Sequence, residues 1–135
     1  MNKLYLFVLL AFVLVSCLDE GKFHYKKTDF VHITELMIPD SVQLNDTIEI
    51  TAVAKETNAC WKDLYFDFYA LSDTSYSLAA YGTYESYGSC PYQIVAIDTL
   101  INIIPDTIAK HIIYVARDPY YVQIDTVYVK DTLKL

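Results

Sequence analysis

Two segments of the chain alternate hydrophobic and polar residues with the two-residue period of a half-buried β-strand. In residues 47–55 one face is apolar throughout and holds Ile48, Ile50, Ala52 and Ala54. In residues 63–71 the apolar face holds Leu64, Phe66, Phe68 and Ala70, and the opposite face holds Tyr65, Asp67 and Tyr69. Both segments are predicted as strands that pack their apolar face in a core, because removing that face from water is favourable.

Five further segments, rich in β-branched and aromatic residues, are separated by turn residues, which is typical of a β-sandwich or barrel. They cover residues 31–38, 76–84, 92–104, 108–117 and 121–130. In the first segment the inward phase slips near Thr34, which predicts a bulge, and Pro39 suits the end of an edge strand. Segment 76–84 fits either a strand or an irregular excursion, and segment 92–104 allows a break near Asp98. The last two segments are predicted to close the domain as a pair joined by a turn.

About seven strands within residues 30–135 resemble a small immunoglobulin-like (Ig-like) sandwich. Residues 38–50 look like the opening of many bacterial Ig-like modules, and residues 124–129 look like their final strand. The resemblance implies an all-β fold, a single Ig-like antiparallel β-sandwich. It implies no binding residues, because it rests on the pattern of strands and turns. The chain departs from the family in lacking a cysteine pair on the second and sixth strands.

The N-terminus has the parts of a secretory signal, namely Lys3, an apolar run over residues 4–15 and a small residue before Cys17. The run is shorter than the roughly 20 apolar residues that a membrane-spanning helix needs. Residues 1–16 are therefore predicted to be a cleaved signal peptide. The sequence Leu14-Val15-Ser16-Cys17 resembles the lipobox of bacterial lipoproteins. That resemblance implies acylation of Cys17 with palmitate or a similar fatty acid, and two or three acyl chains anchor a protein stably.

The residues after Cys17 bear on where the anchored protein resides. Leu18 is not the aspartate that retains lipoproteins at the inner membrane, so an outer-membrane location is expected. The pair Asp19-Glu20 resembles the acidic export tag of surface-exposed lipoproteins, which favours the cell surface over the periplasmic face. Residues 17–29 are polar and lack periodicity, and they are predicted to be a tether between the lipid and the domain.

Length and charge limit the partners that the chain can have. Removal of residues 1–16 leaves 119 residues, enough for one domain and too few for two. The formal net charge of −7 becomes −8 when Lys3 leaves with the signal. An acidic chain without a cluster of lysine and arginine cannot neutralise phosphates, so no nucleic-acid partner is expected. The expected membrane contact is the covalent lipid.

Two cysteines remain once Cys17 is assigned to lipid. Cys60 and Cys90 form an even pair in an oxidising compartment. In the Ig-like order they fall in the second-to-third and fourth-to-fifth connections, which lie at the same end of such a sandwich. A disulfide between them is therefore predicted. The alternative is a reactive thiol, for which the sequence provides no nearby histidine.

The sequence holds no motif of a catalytic or metal site. The histidines, His24, His32 and His111, lack the spacings of zinc ligands. Asp63 and Asp67 lie four residues apart on one side of a strand, and solvated outward charges explain them better than a glycosidase pair. Recurrent Asp-Thr pairs are too scattered for calcium, because a calcium loop gathers its ligands within about a dozen residues. The chain is predicted not to be an enzyme, and no metal or cofactor is expected.

Residues 72–92 combine tyrosine with serine, alanine and glycine, the mixture found in antibody paratopes. Tyrosine supplies rigid amphipathic contact surface there, and its ring also stacks on sugars and cations. With the tryptophan beside Cys60, this segment gives a candidate ligand-binding set of Trp61, Tyr76, Tyr81, Tyr84, Tyr87 and Tyr92. The alternative is that these tyrosines line an edge strand and cover the rim of the core.

These observations predict a non-enzymatic, lipid-anchored protein of the bacterial cell envelope that binds a protein or a glycan, or that serves as an accessory subunit of a larger envelope complex. The alternative is a periplasm-facing structural or inhibitory lipoprotein that acts on an envelope enzyme. Protease added to intact cells separates the two hypotheses, because only a surface-exposed domain is cut.

Overall fold

The computed structural model describes residues 23–131, which form nine β-strands in two facing sheets. The strands are β1 (Tyr25–Phe30), β2 (Ile33–Met37), β3 (Ser41–Gln43), β4 (Ile48–Asn58), β5 (Trp61–Ser72), β6 (Ser75–Ser86), β7 (Tyr92–Ile103), β8 (Lys110–Asp118) and β9 (Tyr121–Lys130). The predicted all-β, sandwich-like architecture is confirmed. The predicted signal peptide and Cys17 lie outside the described residues.

The larger sheet has six strands and the smaller has three. In the larger, the order is β1-β6-β8-β9-β3, with β5 also paired to β6; in the smaller it is β2-β4-β7. The pairs β3/β9 and β6/β8 are parallel, and the remaining pairs are antiparallel. The larger sheet is therefore mixed, whereas the sequence predicted antiparallel pairing alone. Between β6 and β8 the chain crosses to the smaller sheet and forms β7. When it comes back to the larger sheet as β8, it runs beside β6 in the same direction.

The core lies between the two sheets and follows the predicted alternation. On β4 the predicted apolar face is buried. On β5 Leu64, Phe66 and Phe68 pack against the same cluster, whereas Ala70 and the opposite face are exposed. Burial of these side chains stabilises the fold by about 25 cal/mol for each Å² of apolar surface removed from water. The largest aliphatic members of the core are Ile48, Ile50, Leu78, Ile113, Val31, Val115 and Val127. The bulge in β2 is confirmed between Ile33 and Glu35, and β2 is an edge strand.

The segment that the sequence left open between a strand and an irregular excursion is β6, the most connected strand. It pairs with β5 on one side and with β1 and β8 on the other. Its even-numbered side chains point into the core. Gly82 is required among them, because a Cβ there would lie 3.1 Å from Val31 Cγ2, 3.2 Å from Leu64 Cδ1 and 3.2 Å from Trp61 Cε3.

Three local features differ from the sequence prediction. β7 continues through Asp98 without a break, because the carboxylate points outward and its backbone pairs opposite Val53. β3 was not predicted and has only three residues. β1 begins at Tyr25, within the predicted tether of residues 17–29, and its side chains are mostly exposed. Its order comes from backbone pairing with β6, which leaves no apolar period in the sequence.

Candidate functional site

A disulfide joins Cys60 to Cys90, as predicted, with the Cα atoms 5.4 Å apart. It links the β4–β5 connection to the β6–β7 connection, so both lie at one end of the sandwich. Backbone hydrogen bonds support the same junction: Ala59 N donates to Pro91 O at 3.0 Å, and Glu85 N donates to Cys60 O at 2.8 Å. The chain-entropy model gives about 3–4 kcal/mol of stabilisation for a loop of this size.

The disulfide end carries an aromatic cluster on the core side of β6. Trp61 lies edge-on to Tyr84, with ring centroids 5.4 Å apart, and Tyr25 lies edge-on to the other side of Tyr84 at 6.1 Å. The Tyr84 hydroxyl is 3.1 Å from Cys90 Sγ. These edge-to-face contacts fix the orientation of Trp61, because each ring sets its positive edge against the negative face of its neighbour.

A charged cluster holds the N-terminal segment to the same end. Glu85 accepts hydrogen bonds from His24 Nε2 at 3.0 Å, Lys62 Nζ at 3.1 Å and the Tyr87 hydroxyl at 3.1 Å. The hydrogen bond from His24, followed by that from Lys62, lowers the pKa of Glu85 from its ordinary value of 4.5 to about 2. The Tyr87 ring stacks on His24 with centroids 4.6 Å apart. Tyr87 therefore belongs to a structural contact as well as to the surface.

The remaining candidate tyrosines lie elsewhere. Tyr76 is buried at the start of β6, between Phe68 and His111, and burial raises the pKa of its hydroxyl. Tyr81 lies on the opposite side of β6, facing away from the core. Tyr92 is 79% exposed at the start of β7 in the other sheet. The six predicted residues therefore do not form one contiguous surface, because alternation along β6 sends them to both sides of the sheet.

Only one of the six, Trp61, lines a cleft at the junction of β1, β5 and the β8–β9 turn. This Trp61 cleft has a volume of ≈ 410 Å³, and its other lining residues are Asp29, Phe30, His32, Asp118, Pro119, Tyr120 and Tyr121. Phe30, Tyr120 and Tyr121 were not among the binding residues predicted from the sequence. Two tyrosines directly after Asp118-Pro119 were the available signal, because a turn between paired strands presents its side chains at a tip. Tyr120 is 98% exposed there.

Hydrogen bonds fix the polar groups of the Trp61 cleft. Asp118 Oδ1 accepts the backbone N–H of Tyr120 at 2.7 Å, and Asp29 Oδ1 accepts that of Phe30 at 2.9 Å. The Lys27 ammonium beside Asp29, followed by the Phe30 N–H, lowers the pKa of the Asp29 carboxyl. His32 Nδ1 bonds Glu56 Oε1 at 2.6 Å, which leaves His32 Nε2 as the outward nitrogen of that ring. No lysine or arginine lines this cleft within the part of the chain described.

A second cleft, of ≈ 560 Å³, lies where the β2–β3 connection passes β4. Its lining is aliphatic apart from threonines and one charge: Leu36, Met37, Ile38, Pro39, Val42, Thr47, Glu49 and Thr51. It contains no aromatic side chain and no residue of the predicted set. Its chemistry therefore gives less basis for recognising a ligand than that of the Trp61 cleft.

Within residues 23–131 no three His, Cys, Asp or Glu side chains come together in a way that could hold a metal ion. None of the described residues belongs to a helix that is long and apolar enough to cross a membrane. Comparison of the chain with models of protein families, with curated proteins and with solved structures finds no match.

Proposed function

We propose that this chain is a non-enzymatic, lipid-anchored binding protein of the bacterial cell envelope that recognises a neutral glycan in the Trp61 cleft. The observation that carries the proposal is the pairing of aromatic walls with hydrogen-bond acceptors in one cleft. Phe30, Trp61 and Tyr121 offer apolar ring surface, and Asp29 and Asp118 offer carboxylate oxygens. A sugar presents the same two kinds of surface, an apolar C–H face and hydroxyl donors.

Size and charge narrow the class of ligand. A volume of ≈ 410 Å³ lies in the range of small-ligand sites, about 300–1,000 Å³. Hydrogen bonds to an ionised carboxylate are roughly twice as strong as those between neutral groups, so Asp29 and Asp118 suit hydroxyl donors. Asp29 is already paired with Lys27, so the charge that disfavours an acidic sugar is that of Asp118, with no lysine or arginine in the described lining.

The carboxylates are held in place before any ligand binds. Asp118 is fixed by the Tyr120 N–H, and Asp29 by the Phe30 N–H and by Lys27. The Trp61 ring packs edge to face with Tyr84 and lies over Gly82, and these contacts fix its orientation. A preorganised site loses less conformational entropy on binding, which raises affinity for a given set of contacts.

The single tryptophan makes the proposal directly testable, because it lines the cleft and its fluorescence responds to a ligand bound there. The processed protein in detergent is titrated with a panel of neutral oligosaccharides, and a saturable change in Trp61 emission is expected for at least one of them. Tyr121→Ala should weaken that binding at least tenfold. Tyr92→Ala is the matched control, since it removes an exposed tyrosine outside the cleft, and it should bind as the parent does.

Two outcomes contradict the glycan proposal. One is the absence of any response across the panel, or a response to acidic oligosaccharides alone. The other is an equal loss of binding in Tyr92→Ala and Tyr121→Ala, which would show that the cleft is not the site.

The cell-surface location and the Ig-like relationship are part of the same proposal. The lipobox and the Asp19-Glu20 pair support the first. The closing β8–β9 hairpin and the edge strand β2 in a two-sheet sandwich support the second. Protease added to intact cells should release the domain. Protection in intact cells, with cleavage after permeabilisation, would favour the periplasm-facing alternative.

A further inference from the structure

Three rows of side chains cross the outer face of the six-stranded sheet, the face turned away from the core. The strand registers give the rows as Tyr65–Tyr81–Phe30, Asp67–Ala79–Ala116 and Tyr69–Ser77–Tyr114. In the first row the rings are in contact, with centroids 5.7 Å apart between Tyr65 and Tyr81 and 4.7 Å apart between Tyr81 and Phe30. The middle row is thus flanked on both sides by aromatic rings.

The middle row forms the floor of a shallow recess. Ala79 points outward but is only 7% exposed, because the longer side chains of the flanking rows stand over it. Successive rows on one face of a sheet are about 6.8 Å apart, twice the rise per residue, so the flanking rows leave room for one inserted side chain. We name this feature the outer recess, formed by Tyr65, Tyr69 and Tyr81 around Asp67 and Ala79.

Asp67 gives the outer recess its charge. It is the only charged residue in the three rows, and it makes no hydrogen bond or ion pair with another residue of the described chain. The neighbouring carboxylate also contributes, after burial, to the raised pKa of Tyr81, which places the two groups close together. An unpaired carboxylate ringed by tyrosine faces attracts a cation both by charge and by the ring quadrupoles.

We propose that the outer recess is a docking site for a protein partner that inserts an arginine or lysine side chain between the three tyrosines onto Asp67. The occupant is inferred to be cationic because its charge complements that of the Asp67 carboxylate. A second copy of the chain is disfavoured, because the chain carries a net charge of −7 and a face-to-face pair would bring two unpaired carboxylates together. Ile124 and Val122 are exposed on β9, which is separated from β6 by β8, and they extend the same rows with apolar contact surface suited to a protein.

This docking site is independent of the Trp61 cleft. Phe30 lines the cleft and contacts Tyr81, but the three tyrosines and Asp67 lie outside the cleft lining. A failure of either proposal therefore leaves the other standing.

The test selects random peptides displayed on phage against the processed protein in detergent. The selected peptides should carry arginine or lysine, and replacing that residue with citrulline or norleucine should abolish binding. Asp67→Asn and Tyr69→Ala should each weaken binding of the selected peptides at least tenfold, whereas Tyr69→Phe, which keeps the ring, should bind as the parent does. Asp98→Asn, an exposed carboxylate on β7, is the matched control and should have no effect.

Several outcomes would overturn the proposal. Selection of peptides without a basic residue, or of none at all, shows that the recess does not recognise a cationic side chain. Equal binding to Asp67→Asn and to the parent shows that the carboxylate is not the contact. Tyr121→Ala should leave peptide binding unchanged, and a loss there would assign the peptides to the Trp61 cleft instead.

Discussion

The Tyr84 hydroxyl lies 3.1 Å from the Sγ of Cys90, so the aromatic cluster around Trp61 touches the disulfide directly. Trp61 itself follows Cys60, the other half of the bridge. The disulfide therefore supports the wall of the Trp61 cleft from two directions. Its loss should affect both the stability of the domain and the environment of the tryptophan.

The first prediction concerns that bridge. Replacing both cysteines in Cys60→Ala/Cys90→Ala should lower the free energy of unfolding by about 3–4 kcal/mol, because the unfolded chain regains the entropy of an open loop. Urea denaturation followed by Trp61 fluorescence measures it, and the emission of the folded state should shift as well. Unchanged stability, or two free thiols in protein purified from the envelope, would contradict the assignment.

The second prediction concerns acid stability. The pKa of Glu85 is lowered to about 2 in the folded protein, against an ordinary value of 4.5. The stabilisation from this carboxylate is therefore complete above pH 4.5 and is lost as the pH falls toward 2. The free energy of unfolding, measured by urea denaturation, should fall less between pH 6 and pH 3 for Glu85→Gln than for the parent.

A matched control for Glu85 is Glu49→Gln. Glu49 is exposed on β4 and makes no hydrogen bond or ion pair with another described residue. The free energy of unfolding of Glu49→Gln should fall between pH 6 and pH 3 by as much as that of the parent. If the two variants lose stability equally over this range, the Glu85 cluster does not contribute as proposed.

The third prediction concerns a histidine inside the core. His111 is fully buried, and its Nε2 has no hydrogen-bond partner among the described residues. His111→Phe keeps a ring to stack on Tyr76 and removes the unpaired Nε2, and it also removes the 3.4 Å contact between Nδ1 and the Tyr76 hydroxyl. The free energy of unfolding should rise by about 1 kcal/mol, since an unsatisfied buried polar group costs about 1–3 kcal/mol.

Tyr76 provides the comparison for His111→Phe. Its hydroxyl also donates to the Asp73 carbonyl at 3.2 Å, so it keeps a partner when His111 is replaced. Tyr76→Phe, by contrast, should lower stability by about 1 kcal/mol. A loss of stability in His111→Phe would show that the contact between His111 Nδ1 and the Tyr76 hydroxyl outweighs the cost of the unpaired Nε2.

The fourth prediction concerns the anchor. Cys17→Ala should abolish incorporation of a palmitate analogue and leave a precursor that retains residues 1–16. Mass spectrometry and metabolic labelling measure the two effects. Cys60→Ala/Cys90→Ala should keep the label. Persistence of the label in Cys17→Ala would contradict the prediction that Cys17 is the lipidated residue.

The sequence predicted the elements that are buried on one face only. β4 and β5 show a clear period because apolar and polar residues alternate there. β6 was harder to predict because small residues occupy both of its sides: Ala80 and Gly82 point inward, and Ala79 points outward. β1 carries mostly polar residues and owes its order to hydrogen bonds with β6, which no hydrophobic period records.

The candidate sites depended on register, which the sequence did not contain. The tyrosine content of residues 72–92 was a correct description of composition, but it could not say which side chains share a side of the sheet. The parallel pairing of β6 with β8 places Tyr114 and Ala116 beside Ser77 and Ala79, although they are distant in sequence. The Trp61 cleft likewise combines β1, β5 and the β8–β9 turn, which only tertiary structure brings together.

Under the proposed acylation of Cys17, the start of β1 limits how far the domain can lie from a membrane. Tyr25 pairs with Ser86, beside the disulfide end, so the chain enters the fold there. With Cys17 acylated, seven residues lie between that cysteine and Tyr25, and a fully extended chain covers these eight residue-to-residue steps in at most about 28 Å. The disulfide end of the domain, which carries Trp61, would thus be held near the bilayer. Glycans attached to the membrane surface would therefore lie within reach of the Trp61 cleft, whereas glycans far from the membrane would not.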